Sequence, residues 1–178
     1  GANSIRVDFV WQHIEEKGDN QWSWENYDYL VQACEERNIR IFALIGYQWP
    51  PNWFPDDWYT KHPPGEDDEG VMHPDRWPSD IIAYENANAR AQYTEVISNI
   101  CARYKNSKAI GGWIVGNEAG YLGLWSLKYD GYDDASIAAF RTWCQNTYGT
   151  IGAVNAMWGS SYTNFSDIDI LDYYAWKG

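Results

Sequence analysis

The chain lacks the features that mark several classes of protein. It has no stretch of about 18 apolar residues, which excludes a membrane-spanning helix. Basic residues are few: 13 lysines and arginines stand against 25 aspartates and glutamates, for a net charge of -12. That balance argues against nucleic acid and anionic lipid as partners, because both bind to positively charged protein surfaces. The first residues show no basic-then-apolar leader, so the compartment is undetermined.

Cysteine and histidine, the usual ligands of transition metals, are also scarce. The cysteines have no metal-ligand spacing and fall in segments that read as helices, so they are either buried thiols or include one disulfide: Cys34, Cys101 and Cys144. The histidines lie in predicted loops, also without ligand spacing: His13, His62 and His73. We therefore predict neither a bound metal nor a cofactor.

Aromatic residues are abundant instead. The 12 tryptophans and 14 tyrosines bring the aromatic content to 17 %. Such rings fill protein cores, but their flat apolar faces with polar edges also suit sugar rings. Composition does not separate these two uses, so it makes carbohydrate one candidate ligand.

Apolar strand patterns alternate with amphipathic helix patterns along the chain. Strands are predicted over 4–11, 39–46 and 109–115, and helices around 27–37, 84–104, 136–148 and 151–158. The segment 53–79, which carries five prolines and an acidic run, is predicted to be a long loop. Strands that alternate with helices pair in parallel through right-handed crossovers. The predicted fold class is therefore α/β, as one domain without repeats.

The chemistry of such a fold lies at the carboxyl ends of its strands, and the third end is the most informative. Glu118 follows a buried apolar strand directly and borders a low-dielectric core. Desolvation there favours the protonated carboxyl, which could donate its proton to a leaving oxygen. Asn117 offers an amide donor and a carbonyl acceptor for a hydroxyl group. An Asn-Glu pair at a strand end is otherwise a structural cap or an ion-pair partner.

The segment WIVGNEAG over 113–120 resembles the fourth-strand signature of clan A retaining glycoside hydrolases, in which Asn-Glu carries the acid/base. The flanks resemble family 42, the β-galactosidase type. IRV over 5–7 through Trp11 resembles its second strand, and PPNW over 50–53 resembles the Pro-Pro-x-Trp after its third. FRTW over 140–143, YGTI over 148–151 and NAMWG over 155–159 resemble the helical segment after its fourth strand. Gly116 departs from the family, which more often has Asp there.

The resemblance implies a role for each matching residue. Glu118 would be the general acid/base, Asn117 the ligand of the sugar 2-hydroxyl, and Arg6 a side chain at the base of the site. Arg76 in the long loop would reach the substrate. Trp11, Trp49 and Trp53 are candidate sugar platforms, whereas three other tryptophans are predicted to pack in the core: Trp113, Trp143 and Trp158. An interior ion pair with Asp8 is the alternative role of Arg6.

The resemblance covers only part of a barrel. A (β/α)8 TIM barrel needs about 250 residues and eight strands. This chain shows three, which match strands two to four, and the nucleophile of a retaining enzyme in this clan comes from the seventh. Asp8 is the one other acidic residue near a strand end, and it is predicted to lie too early in its strand to serve. We therefore expect residues 1–178 to form an incomplete barrel domain that is inactive alone, with exposed sheet edges that favour association with the remaining half or with another copy.

Three functions follow as alternatives. The first is a segment of a retaining β-glycosidase that carries the acid/base without the nucleophile. The second is a non-catalytic carbohydrate-binding or assembly module derived from such a barrel. The third is an unrelated doubly wound α/β domain, which a strand order other than sequential would indicate.

Overall fold

The computed structural model of the chain describes residues 1–46, 49–67, 70–117 and 130–169. Its elements are, in chain order, strand β1 (Ser4–Asp8), short helix α1 (Trp11–Ile14), helix α2 (Glu25–Glu36), strands β2 (Arg40–Ile45), β3 (Tyr59–His62), β4 (Gly65–Glu66), β5 (Met72–His73) and β6 (Trp77–Ile82), helix α3 (Ala87–Tyr104), strand β7 (Ile110–Val115), and helices α4 (Asp134–Tyr148) and α5 (Ile151–Trp158). Single 3-10 turns lie at Asp56–Trp58 and Phe165–Asp167.

The main sheet has the order β1-β2-β7, and both of its strand pairs are parallel. The order is sequential, so the parallel α/β prediction is confirmed, and helices α2 and α3 are the crossovers. Strand β1 ends at Asp8, three residues before the predicted end, because the chain turns there into α1. Asp8 is thus the last residue of its strand, and the prediction that it lies too early in the strand is wrong.

The two faces of this sheet differ sharply in exposure. The face toward the helices carries Ile41, Ala43 and Ile45, which are all buried in the main core. The opposite face, here called the inner face, carries alternate residues of the same strands and is largely open: Arg6 and Asp8 are exposed and Phe42 is 43 % exposed, while Leu44 is buried. Because side chains alternate along a strand, polar Arg6 and Asp8 share the inner face.

The prediction of a structureless loop over 53–79 is wrong. Strands β3 and β6 pair antiparallel, and β4 and β5 form a second antiparallel pair. Prolines argued against strands here, but a two-stranded sheet consists only of edge strands, which tolerate proline, and Pro78 indeed lies within β6. His62 and His73 consequently lie on strands rather than in loops.

Helices α4 and α5 pack around a second, smaller core of Cys144, Val154 and Ile168. Thr150 caps the N-terminus of α5, since its side chain accepts a hydrogen bond from the N–H of Ala153. The prediction that two tryptophans of this region pack in the core is wrong, because 51 % of Trp143 and 40 % of Trp158 are exposed. The Trp158 ring lies against Phe140 and Tyr148 of α4, at centroid distances of 6.3 and 5.6 Å, so it sits at the edge of the contact between the two helices. Trp113, by contrast, packs against the main core as predicted.

The remaining sequence features have simple structural outcomes. The three cysteines are free thiols on helices; Cys34 and Cys144 are buried, and Cys101 is partly buried. In the described part of the chain, no helix is long and apolar enough to cross a membrane.

Candidate functional site

One side-chain hydrogen bond joins the middle of β1 to Asn117, two residues beyond the carboxyl end of β7. Arg6 extends across the inner face, and its Nη2 donates to Oδ1 of Asn117 at 2.5 Å. The two residues are 111 positions apart in sequence, and the Arg6 side chain reaches from mid-strand to Asn117 at the carboxyl edge of the sheet. This contact brings together two of the predicted substrate-binding residues, and it replaces the alternative in which Asp8 would be the partner of Arg6.

Gly116 forms the turn by which the chain leaves the sheet, directly before Asn117. Its N–H donates to the carbonyl of Ile45 at 3.0 Å, which extends the pairing of β7 with β2 by one residue. Its φ of 76° lies in the left-handed region, where glycine is favoured over residues that carry a Cβ. The glycine that departs from the family pattern therefore makes the turn that precedes Asn117. Glu118 lies outside the described residues, so its role stays a prediction.

Trp49 lies at the carboxyl end of β2 on the rim of a cleft. The cleft is formed where β1 and β2 end, and it is lined by Asp8, Phe9, Val10, Leu44, Gly46 and Trp49. The Trp49 side chain is half-exposed, and its backbone has a φ of 55°. Its position suits the predicted contact with a sugar.

Trp11 is corrected from a sugar platform to a core residue. Only 1 % of it is exposed, and its ring packs against Phe54 and Tyr93 at centroid distances of 5.2 and 6.1 Å. A ring covered by protein offers no face to a ligand. Trp53 is partly buried, packs against the same core and donates from Nε1 to the backbone carbonyl of Glu15 at 2.6 Å. Its role as a sugar contact stays a prediction.

Glu15 is the residue of this region that sequence reasoning missed. It is fully buried; one carboxylate oxygen accepts from Trp11 Nε1 at 2.7 Å and the other from the N–H of Asn20 at 2.6 Å. Burial raises the pKa of the Glu15 carboxyl, and these two hydrogen bonds oppose that rise. The i, i+4 spacing of Trp11 and Glu15 was the available signal. The buried Glu15 carboxylate thus links Trp11 of α1 to Asn20 in the segment before α2.

Arg76 lies in a different part of the fold from the Arg6–Asn117 pair. Its Nη2 donates to both carboxylate oxygens of Asp169, at 2.6 and 2.8 Å, and its guanidinium lies 5.9 Å from the centre of the Tyr132 ring. These contacts tie the segment before β6 to the segment around α4. Arg76 is thus engaged in an ion pair with Asp169. Its contact with substrate stays a prediction.

Two histidine–aspartate pairs flank Trp77 in the same region. His73 Nε2 lies 3.0 Å from Asp67 Oδ2, and His62 Nδ1 lies 3.2 Å from Asp130 Oδ1. The His73 ring stacks on Trp77 at a centroid distance of 4.4 Å. Each pair holds only two candidate metal ligands, and the described ranges contain no group of three His, Cys, Asp or Glu side chains that could hold a metal ion.

Comparison with solved structures defines the class of fold. The β-galactosidase of Rahnella sp. R3 aligns with a TM-score of 0.72 at 20 % identity, over 97 % of this chain and 24 % of that one. The catalytic domain of the β-amylase of Paenibacillus polymyxa aligns with a TM-score of 0.64 at 21 % identity, over 94 % of this chain and 45 % of that one. The fold is therefore part of a TIM barrel.

Comparison of sequences gives the family. The profile of glycoside hydrolase family 42, described as β-galactosidase, matches residues 1–171. The chain belongs to glycoside hydrolase family 42.

Its curated relatives include a β-galactosidase of Bifidobacterium bifidum, 29 % identical over 182 residues, and one of Arthrobacter sp., 28 % identical over 169 residues. These matches cover 94 % and 91 % of this chain but only 24 % and 22 % of the relatives. A β/α-amylase of Paenibacillus polymyxa is 25 % identical over 191 residues, which cover 95 % of this chain and 16 % of that protein. The chain thus spans no more than about a quarter of the length of these three relatives.

Proposed function

We propose that this chain is the part of a retaining, β-galactosidase-type glycosidase that carries the general acid/base Glu118 and the 2-hydroxyl ligand Asn117. The observation that carries the proposal is the hydrogen bond from Arg6 to Asn117 at the carboxyl edge of the parallel sheet. It fixes the residue next to Glu118 at the edge where parallel α/β folds hold their reactive groups. Membership of family 42 supports the same assignment.

In this proposal the three residues have distinct tasks. Arg6 holds the Asn117 carbonyl, so that the Asn117 amide nitrogen would donate to the sugar 2-hydroxyl. Glu118 would first protonate the glycosidic oxygen as the bond to the anomeric carbon breaks. After a second carboxylate has formed the glycosyl-enzyme, Glu118 would take a proton from the water that attacks it.

The second carboxylate is proposed to come from a later strand of a complete barrel. Retaining enzymes hold their two carboxyl groups about 5.5 Å apart. The resemblance implies that the nucleophile comes from the seventh strand of a barrel, whereas the main sheet of the described residues has three parallel strands. We therefore propose that residues 1–178 work as an incomplete domain and that this chain alone hydrolyses nitrophenyl galactoside at no more than background rate.

The test is the Glu118→Gln variant of the complete enzyme. Glutamine cannot donate a proton, so hydrolysis of galactosides with poor leaving groups should slow by about 100-fold or more. Activated aryl galactosides need little protonation, so their glycosyl-enzyme should form at nearly the wild-type rate. Glu25→Gln, on the exposed first turn of α2, is the matched control and should leave both rates unchanged.

Full activity of Glu118→Gln on both kinds of substrate would contradict the proposal. Calorimetry separates the alternative function. If the complete protein binds galactose but turns over no galactoside, it is a carbohydrate-binding module on a glycosidase scaffold.

A further inference from the structure

The turn that precedes Asn117 depends on contacts outside its own backbone. Gly116 makes this turn with a φ of 76°, and glycine is the residue with the widest choice of backbone conformations. The backbone of Gly116 alone therefore does not fix the path by which the chain continues to Glu118. The Gly116 N–H donates to the carbonyl of Ile45 at 3.0 Å, so the position of that carbonyl sets the start of the turn.

A tyrosine of helix α3 holds the same carbonyl. The Tyr93 hydroxyl donates to the oxygen of Ile45 at 3.2 Å, although the two residues are 48 positions apart in sequence. A carbonyl oxygen has two lone pairs, so it can accept from both Gly116 and Tyr93. Ile45 is the buried last residue of β2. Its oxygen thus joins the end of the sheet to the helix that packs behind it.

The Tyr93 ring is itself fixed by its surroundings. It is 9 % exposed, belongs to the main core and lies 6.1 Å from the Trp11 ring, measured between ring centres. Trp11 is held in turn by Glu15, which accepts from its Nε1 at 2.7 Å. A hydroxyl on a ring that is packed in this way has a defined position, and it therefore gives its acceptor a defined position as well.

The position of this turn matters because Asn117 and Glu118 follow it directly. In the proposed reaction the Glu118 carboxyl must come within hydrogen-bond reach of the glycosidic oxygen, about 2.6 to 3.2 Å. A misplacement of about 1 Å in such a geometry can cost about a hundredfold in rate. Arg6 holds Asn117 from the inner face, and Tyr93 holds the turn from the helix side of the sheet.

We propose that Tyr93 is a positioning residue for the general acid/base. Its hydroxyl fixes the Ile45 carbonyl, and through it the Gly116 turn from which the chain continues to Glu118. This proposal rests on the proposed function, because it takes Glu118 as the group that protonates the glycosidic oxygen. Tyr93 lies in the core behind the sheet and does not touch the substrate.

The experiment compares two galactosides in the complete enzyme. Lactose has a poor leaving group that needs protonation, whereas dinitrophenyl galactoside needs little. Tyr93→Phe removes only the hydroxyl, so kcat for lactose should fall about fivefold with KM changed less than about twofold. The substrate ratio, defined as kcat/KM for lactose divided by kcat/KM for dinitrophenyl galactoside, should fall about fivefold as well. A substrate ratio equal to that of the wild type overturns the positioning role.

Tyr27→Phe is the matched control for the loss of a buried tyrosine hydroxyl. Tyr27 is also 9 % exposed, and its hydroxyl accepts from the N–H of Val10 at 2.9 Å and donates to the carbonyl of Asp8 at 3.4 Å. Both variants should lower the urea midpoint of unfolding by similar amounts. Only Tyr93→Phe should lower the substrate ratio, because β2 separates β1 from β7. An equal fall of the ratio in Tyr27→Phe would mean a general loosening of the core and would overturn the role.

Glu118→Gln, measured on the same two substrates, separates this inference from the proposed function. If it lowers the substrate ratio and Tyr93→Phe does not, the positioning role is overturned and the reaction stands. If Glu118→Gln leaves the ratio unchanged, the acid/base assignment is overturned, and the positioning role with it. If both variants lower the ratio, Tyr93→Phe should lower it no further in the Glu118→Gln background, and a further fivefold fall there overturns the positioning role.

Discussion

Replacing Glu15 by glutamine should destabilise the chain by an amount that depends on pH. The two carboxylate oxygens of Glu15 accept from Trp11 Nε1 and from the N–H of Asn20. Glutamine keeps one acceptor and turns an N–H₂ group toward the other donor, so one buried N–H loses its partner. A buried donor left without its partner costs about 1 to 3 kcal/mol, and we expect a cost of about 2 kcal/mol near pH 5.

The pH dependence follows from the direction of the pKa shift. Burial raises the pKa of Glu15 in the folded state above its value in the unfolded chain. The folded state therefore favours the protonated carboxyl, and this contribution to stability is fully present below the unfolded pKa, near 4.5. It is lost as the pH rises through the folded pKa. Glutamine does not titrate, so the difference between wild type and Glu15→Gln should shrink from pH 5 to pH 8.

Urea unfolding followed by tryptophan fluorescence at several pH values measures the destabilisation by Glu15→Gln and its dependence on pH. Glu16→Gln is the matched control, because the neighbouring carboxyl is exposed and its replacement should change the free energy of unfolding by less than about 0.5 kcal/mol. A destabilisation by Glu15→Gln that grows between pH 5 and pH 8 would refute the reasoning, since it would mean that the folded chain favours the ionised carboxylate.

Three further predictions concern other contacts. Asn86 caps α3 through its side-chain oxygen, so Asn86→Ala should lower the free energy of unfolding in urea by about 1 kcal/mol. Arg103 lowers the pKa of Asp28 by donating to it, so this stability is present above the unfolded pKa of Asp28 and is lost as the pH falls through the lowered folded pKa. Arg103→Met should therefore lower the thermal midpoint at pH 7, by an amount worth less than about 1 kcal/mol because the pair is partly exposed, and the gap to the wild type should narrow as the pH falls. Arg6→Met should lower kcat/KM of the complete enzyme by about tenfold or more without changing its unfolding midpoint, because Arg6 is exposed and its charged hydrogen bond holds Asn117.

The sequence predicted the parallel core well because its signals are strong and local. Continuous apolar runs mark β2 and β7, and residues with known local preferences bound the helices: Asn38, which follows α2, has a left-handed φ of 53°, and Thr150 caps α5. The antiparallel strands around β3 to β6 escaped prediction because they have two to six residues and contain proline. Their pairing depends on partners distant in sequence, which no local pattern reveals.

The candidate site was predicted in part for the same reason. The family pattern predicts Arg6 and Asn117 as substrate ligands, whereas the hydrogen bond between them is seen only in the structure. Burial of Trp11 could not be read from the sequence, since a tryptophan at a strand end suits a core and a sugar equally. The burial of Glu15 could not be read from the sequence either, because the acidic stretch around it resembles a solvated turn. Only the structure brings two donors to its carboxylate.

The most direct test of the central claim is azide rescue of Glu118→Ala in the complete enzyme. With an activated aryl galactoside, this variant should form the glycosyl-enzyme and then stall, because no base activates water. Azide needs no base, so it should restore turnover and yield galactosyl azide with the anomeric configuration of the substrate. An unchanged rate with azide, or a product of inverted configuration, would contradict the assignment of Glu118 as the acid/base of a retaining mechanism.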